Sequence, residues 1–299
     1  MKGLFLATVF AALCWSAPPS QIRADANVVL INATVLDRQD RLVRGLTRDQ
    51  FLVFDDKAEQ KIAYFSEDEA PVSLAVLFDV SGSMQEKIAG MRAALKSILQ
   101  SATAEDEFSL VTFADEPQLA IGWTQNPDSI QNALLDVAAH GQTSLLDAAA
   151  LGLRTLRTAK NPRRAMVIFS DGGDNHSRAT EHDIARSLVE SGVQIYAVDL
   201  AEPLVLRARS PEEIAGPDLL ERICDQAGGR YFEVDGKRAL SAAAEQLSRE
   251  LRSEYLIGYV LSNDARDGRF HHVRLELKQQ AGMPKVTVFW RRGYRAPGD

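Results

Sequence analysis

The stretch that most limits what this chain can fold into is Ser73-Leu74-Ala75-Val76-Leu77-Phe78, followed at once by Asp79-Val80-Ser81-Gly82-Ser83. A run apolar on both faces, yet too short to cross a bilayer, reads as the central strand of a sheet covered on two sides. Helices must then lie on both faces. Over 85–100, Ile88, Met91, Leu95 and Leu99 recur at helical spacing. The polar segment therefore joins a strand to a helix, and Gly82 permits its tight turn. In open α/β sheets the crevice beyond the strand ends is where ligands bind.

Asp79, Ser81 and Ser83 offer only oxygen donors, a set that suits hard divalent cations such as Mg²⁺ better than zinc or copper. The same residue types also cap helices at strand-to-helix turns. Two distant segments bear on the choice. Gly141-Gln142-Thr143-Ser144 precedes a second helical stretch, and Ile168-Phe169-Ser170-Asp171-Gly172 ends a second apolar strand in an acid. The combination resembles the von Willebrand factor A domain, whose metal-ion-dependent adhesion site joins Asp-x-Ser-x-Ser to a downstream Thr and a downstream Asp. The resemblance implies a metal site of Asp79, Ser81, Ser83, Thr143 and Asp171 for Mg²⁺, or for Mn²⁺ or Ca²⁺. It also implies three hydroxyls as direct ligands and at least one carboxylate acting through water. Carboxylates held one water away leave a cation electrophilic, so an acidic side chain from a protein partner can complete its shell.

The rest of the central region alternates regularly. Strands are expected at 108–113, 118–123, 165–169, 193–198 and 231–234, and helices at 127–138, 144–158, 181–191, 217–226 and 238–251. This pattern predicts an α/β fold, a doubly wound and mostly parallel sheet with one antiparallel edge strand, over residues 72–252. Asn126-Pro127 reads as a helix start, Thr180 as a cap with Glu181 and Asp183 behind it, and Gly192 as a stop.

The flanks read as β structure. Residues 27–66 and 253–295 are each too small to close a core, so they are expected to pair into one small β domain in which the central unit is inserted. Val273, Leu275 and Leu277 alternate with Arg274, Glu276 and Lys278, as a half-buried antiparallel strand requires. This bracket is similar to a bacterial family of von Willebrand factor A-related proteins abundant in Acidobacteria. That family carries Val-x-Gly-Leu-Thr-x-x-x-Phe before the metal motif and Arg-x-Gly-Tyr near its end. The matching residues are Val43-Arg44-Gly45-Leu46-Thr47-Arg48-Asp49-Gln50-Phe51 and Arg292-Gly293-Tyr294.

At the start, Met1-Lys2, an apolar core over 4–13 and small residues near Ala17 have the form of a secretory signal, assigned to 1–24, with cleavage between Ala17 and Ala26. Leu13 stands where a lipoprotein box wants a small residue before Cys14. A secreted or periplasmic protein without a lipid anchor is expected. Loss of Cys14 would leave Cys224 alone, in a helical pattern where a buried thiol is the natural reading. A net charge of −7 gives no electrostatic pull toward nucleic acid.

Near the site, Asp174, Asn175 and Ser177 are expected to make local turn hydrogen bonds and His140 to be a loop residue. His271 and His272 should point to opposite faces of a strand. The loop over 201–215 leaves the strand ends on the metal rim, where Arg207 and Arg209 could steer an acidic partner. The expected function is a non-catalytic, metal-dependent protein-binding module for adhesion or envelope assembly. Alternatives are a metal-independent scaffold and a phosphohydrolase of the haloacid-dehalogenase type. The latter needs a second Asp two residues after the nucleophile, where Ser81 stands.

Overall fold

Period-two burial shapes the N-terminal flank. In β2 (Phe51–Asp55) and the first half of β1 (Val28–Asp37) buried residues alternate with partly exposed ones, while Ala33 to Asp37 of β1 are buried without a break; the short β3 (Ala58–Gln60) and β4 (Ile62–Ser66) follow. The computed structural model describes residues 28–67, 70–201, 210–261, 267–278 and 285–296. The signal expected over 1–24, and Arg207 and Arg209, lie outside them.

The central unit begins with β5 (Val72–Asp79), all eight residues of which are buried. Helix α1 (Ile88–Leu99), β6 (Glu107–Phe113), β7 (Pro117–Thr124), α2 (Pro127–Ala133), α3 (Leu145–Leu156) and β8 (Arg163–Phe169) come next. They lead to α4 (Glu181–Ser191), β9 (Gln194–Ala201), α5 (Pro211–Ala227), β10 (Tyr231–Asp235) and α6 (Gly236–Arg252). The sheet order is β10-β9-β8-β5-β6-β7, parallel throughout except for β7, which runs antiparallel to β6. One face carries Met91 and Leu95 of α1 and Leu247 of α6; the other carries Ala149 and Leu153 of α3, Ile184 of α4 and Ile223 of α5. Two-sided cover explains why β5 and β8 are apolar without alternation.

The chain then forms β11 (Tyr255–Val260), β12 (Phe270–Leu277), β13 (Val286–Trp290) and β14 (Gly293–Arg295). Strands of the two flanks share sheets: one has the order β13-β1-β11-β4, the other β14-β12-β2-β3. Between them lies a separate core that includes Ile31, Val53, Ile257, Tyr259 and Leu275.

Two helices depart from the pattern read in the sequence. Helix α2 stops at Ala133 rather than 138, and the chain leaves it to let the His140 amide donate to the Val80 carbonyl at 2.8 Å. Helix α5 begins at Pro211 rather than at residue 217, with Pro217 inside it. Pro211 takes the first helical position, where a missing N–H costs nothing. Capping elsewhere follows the expected chemistry. Thr180 and Asp183 form a reciprocal capping box on α4, and Gly192 (φ +63°) ends that helix.

Candidate metal centre

Strand order reverses at β5: the chain moves outward through β6 and β7, then returns to the other side of β5 with β8. Open α/β sheets form their ligand crevice at such a point. Asp79 ends β5, and Ser170 and Asp171 follow the neighbouring strand β8. Asp79 is fully buried; its Oδ1 accepts from the Ser81 amide at 2.8 Å and its Oδ2 from the Ser170 hydroxyl at 2.6 Å. A single 3₁₀ turn over Gly82–Met84 then folds the Ser81 and Ser83 hydroxyls to within 3.2 Å of each other.

The loop bearing Thr143 is tied to this turn through its backbone. The Gly82 amide donates to the Gly141 carbonyl at 3.1 Å, and the Ser144 amide to the Ala114 carbonyl at 2.8 Å. Gly141 has φ +69°, and a Cβ there would come within 2.4 Å of the Asp115 carboxylate. Thr143 is buried; its amide donates to Asn175 Oδ1 at 2.9 Å, and its carbonyl accepts from the amides of Asn175 and His176. Asp174 and Ser177 do more than close their own loop. Asp174 Oδ2 accepts from the Leu146 amide and Ser177 Oγ from the Asp147 amide, each at 3.1 Å. They cap α3 from another segment, since Ser144 makes no side-chain cap of its own. His140 is exposed and approaches only the Ala138 carbonyl through its ring.

Asp171 Oδ2 accepts from Lys87 Nζ at 3.2 Å, with the two side chains 12% and 8% exposed. Its Oδ1 is buried without a hydrogen-bond partner among the described residues. Helix α5 presses against this loop: a Cβ on Gly216 would lie 2.5 Å from the Asp171 carbonyl oxygen. On β9, next to β8, Asp199 is buried; its Oδ2 accepts from the Tyr231 hydroxyl at 2.8 Å, and its Oδ1 has no hydrogen-bond partner among the described residues. Burial pushes the Asp79 carboxyl up to about 7, with the Asp171 charge adding to it against hydrogen bonds from Ser170 and Ser81. Burial likewise pushes Asp199 up to about 6, opposed by the Tyr231 hydroxyl and the Lys87 ammonium. Buried hydroxyls, raised acids and an orphaned carboxylate oxygen fit a hard divalent cation by donor chemistry.

Residues 74–173 match the family model of the von Willebrand factor type A domain. Among solved structures, the von Willebrand factor type A protein from Catenulispora acidiphila is similar at TM-score 0.51 and 14% identity, over 92% of this chain and 75% of that one. Proximal thread matrix protein 1 from the mussel byssus is similar at TM-score 0.50 and 19% identity, over 66% of this chain and 50% of that one. The von Willebrand factor domain of the type V pili tip protein Mfa5 from Porphyromonas gingivalis gives TM-score 0.49 at 12% identity, over 60% of this chain and 95% of that one. These likenesses concern the fold. No curated protein matches the chain.

In the central unit, Lys87, Ser170 and Asp199 touch or face the candidate ligands without belonging to the adhesion-site pattern, and no spacing rule points to them. Cys224 is buried and its thiol is pushed well up by burial, so it is an inert core residue. Outside the central unit, His271 is buried and His272 exposed, on opposite faces of β12. His271 Nδ1 lies 3.0 Å from Asp55 Oδ1 and 3.2 Å from Asp56 Oδ2, and its Nε2 lies 3.2 Å from Asp267 Oδ1. Asp55, Asp56 and His271 could hold a metal, but a protonated ring itself supplies the cation that these acids need. Among the described residues no helix is long and apolar enough to cross a membrane.

Proposed function

We propose that this protein is a non-catalytic binding module of the cell envelope that captures an acidic side chain of a protein partner through a divalent cation. The supporting observation is the convergence of oxygen donors from three loops on the switch point of the sheet, around an Asp171 Oδ1 that is buried without a partner among the described residues. Ser81, Ser83 and Thr143 would offer hydroxyls to Mg²⁺, or to Mn²⁺ or Ca²⁺, while Asp79 and Asp171 supply the negative charge. A bound cation would act as a Lewis acid toward a carboxylate oxygen. The protein's own part is to fix the donors. Ser170 and the Ser81 amide hold Asp79, and Asn175 holds the backbone of Thr143. Export by residues 1–24, and a β domain built jointly by 27–66 and 253–295, belong to the same proposal. A separate β support would present the rim away from whatever carries the protein.

The test is retention of the protein on immobilised peptides that differ only in Glu or Gln at one position, with Mg²⁺ or with chelator. Binding to the Glu peptide in Mg²⁺ alone is the expected result. Equal retention of both peptides, or retention that survives chelation, would overturn the proposal.

A further inference from the structure

We infer that Lys87 is a fixed counter-charge of the candidate metal site, which weakens cation binding and in return strengthens capture of an acidic ligand. The inference rests on the metal-binding reading above. Asp79, Asp171 and Asp199 bring three buried or nearly buried carboxylates to the ends of adjacent strands β5, β8 and β9. Lys87, just ahead of α1, meets Asp171 Oδ2 at 3.2 Å, and its charge also acts on Asp199. With all three carboxylates ionised, as a bound cation would hold them, one ammonium leaves a formal charge of −2, which one divalent cation neutralises. A partner's carboxylate then approaches a neutral centre. Without the ammonium the same cation would face three acids, be held more tightly, and still leave a net negative centre that repels an incoming carboxylate.

The contact also orients Asp171. With Oδ2 engaged by Lys87, the oxygen left without a partner among the described residues is Oδ1. Lys87 is thus a positioning residue as well as a charge. A merely structural ion pair gives a different outcome on truncation: removing one member of a buried pair leaves the other uncompensated and loosens the loop. Both binding functions would then fall together.

Lys87→Met and Lys87→Gln in the full chain remove the charge, the second keeping a hydrogen-bond donor, and Lys87→Arg keeps the charge. Mn²⁺ affinity is read from the electron paramagnetic resonance signal of the free ion. Carboxylate capture is read at saturating Mn²⁺, from the loss of water-proton relaxation enhancement as a Glu-containing tripeptide is added. The two neutral variants are expected to bind Mn²⁺ roughly tenfold more tightly, because a like charge has left a poorly screened site, and to bind the tripeptide several-fold more weakly. Lys87→Arg should follow the wild type. Loss of both affinities in the neutral variants would overturn the inference in favour of a structural pair. A gain in both would overturn it in favour of an ammonium that competes with the cation for its place. A wild-type protein that binds no Mn²⁺ would overturn the metal reading itself, and the inference with it.

Discussion

Neutralising Asp79 should make the metal-free protein more stable at neutral pH, not less. The carboxyl is fully buried, and burial, helped by the charge on Asp171, pushes it up to about 7 from an ordinary 3.8. Because the folded value lies above the unfolded one, the folded state binds the proton more tightly. Stability is therefore lost as pH rises from the ordinary carboxylate range, and the loss is complete above about 7. A displacement of roughly 3 units corresponds to at most about 4 kcal/mol. Asp79→Asn removes that cost while keeping an acceptor for the Ser81 amide and offering a donor to the Ser170 hydroxyl. Urea unfolding in chelator should show the variant more stable than wild type by up to about 4 kcal/mol at pH 8, and close to it near pH 4. Adding Mg²⁺ should stabilise the wild type by mass action and leave the variant unmoved. A variant less stable than wild type in chelator at pH 8, or equal stabilisation of both by Mg²⁺, would refute the reasoning.

Two further outcomes concern the flanks. Burial works against a charged His271, but hydrogen bonds and charge from Asp267 and Asp55 prevail and raise its pKa. Its contribution is then fully present below the ordinary histidine value and fades as pH rises through the raised one. The stability lost in His271→Gln, measured by thermal unfolding, should be largest near pH 6 and shrink steadily in alkaline buffer; a pH-independent difference would contradict this. Deleting 27–66 removes both partners of β11 and leaves β12 only β14, and the exposed edges should drive aggregation visible by size-exclusion chromatography. A soluble, folded monomer would show that the flanks do not form one domain.

The α/β class is legible in the sequence because apolar runs without alternation, such as 73–78 and 165–169, can only be strands covered on both faces. Helix starts are read less well where two prolines compete. Pro217 looks like a first-turn residue, but Pro211 takes that role and Pro217 is carried inside α5, whose Gly216 lies against the Asp171 loop. At the candidate site, the oxygen-only run Asp79, Ser81 and Ser83 is legible by itself, and Thr143 and Asp171 join it only through the resemblance to the adhesion-site pattern. Residue types and spacing do not show that Ser170 holds Asp79, or that Asp174 and Ser177 cap a helix from a distant loop, because those bonds join segments brought together only by strand order. Lys87 and Asp199 are illegible for the same reason. The alternation of β12 turns His271 inward, yet its partners on β2 are fixed by a register across more than two hundred residues.

That long register governs how the chain reaches its native state. Val28 pairs with Val260 and Leu52 with Glu276, contacts that as random-coil closures would be slow to form. The central unit shortens the path. Val72 at the entry of β5 lies beside Arg163, and the Arg163 guanidinium meets both the Leu251 carbonyl at 3.3 Å and Glu254 Oε2 at 3.4 Å, just before β11. Once the six-stranded sheet has formed, its two ends stand together, and the remaining search is a local one. During synthesis, however, β1 emerges long before β11 and β13, and β2, which has β3 at hand, long before β12, so these strand edges stay open until β11, β12 and β13 arrive. The interval in which this protein is most exposed to aggregation and proteolysis therefore lies between completion of the six-stranded sheet and pairing of the flanking strands.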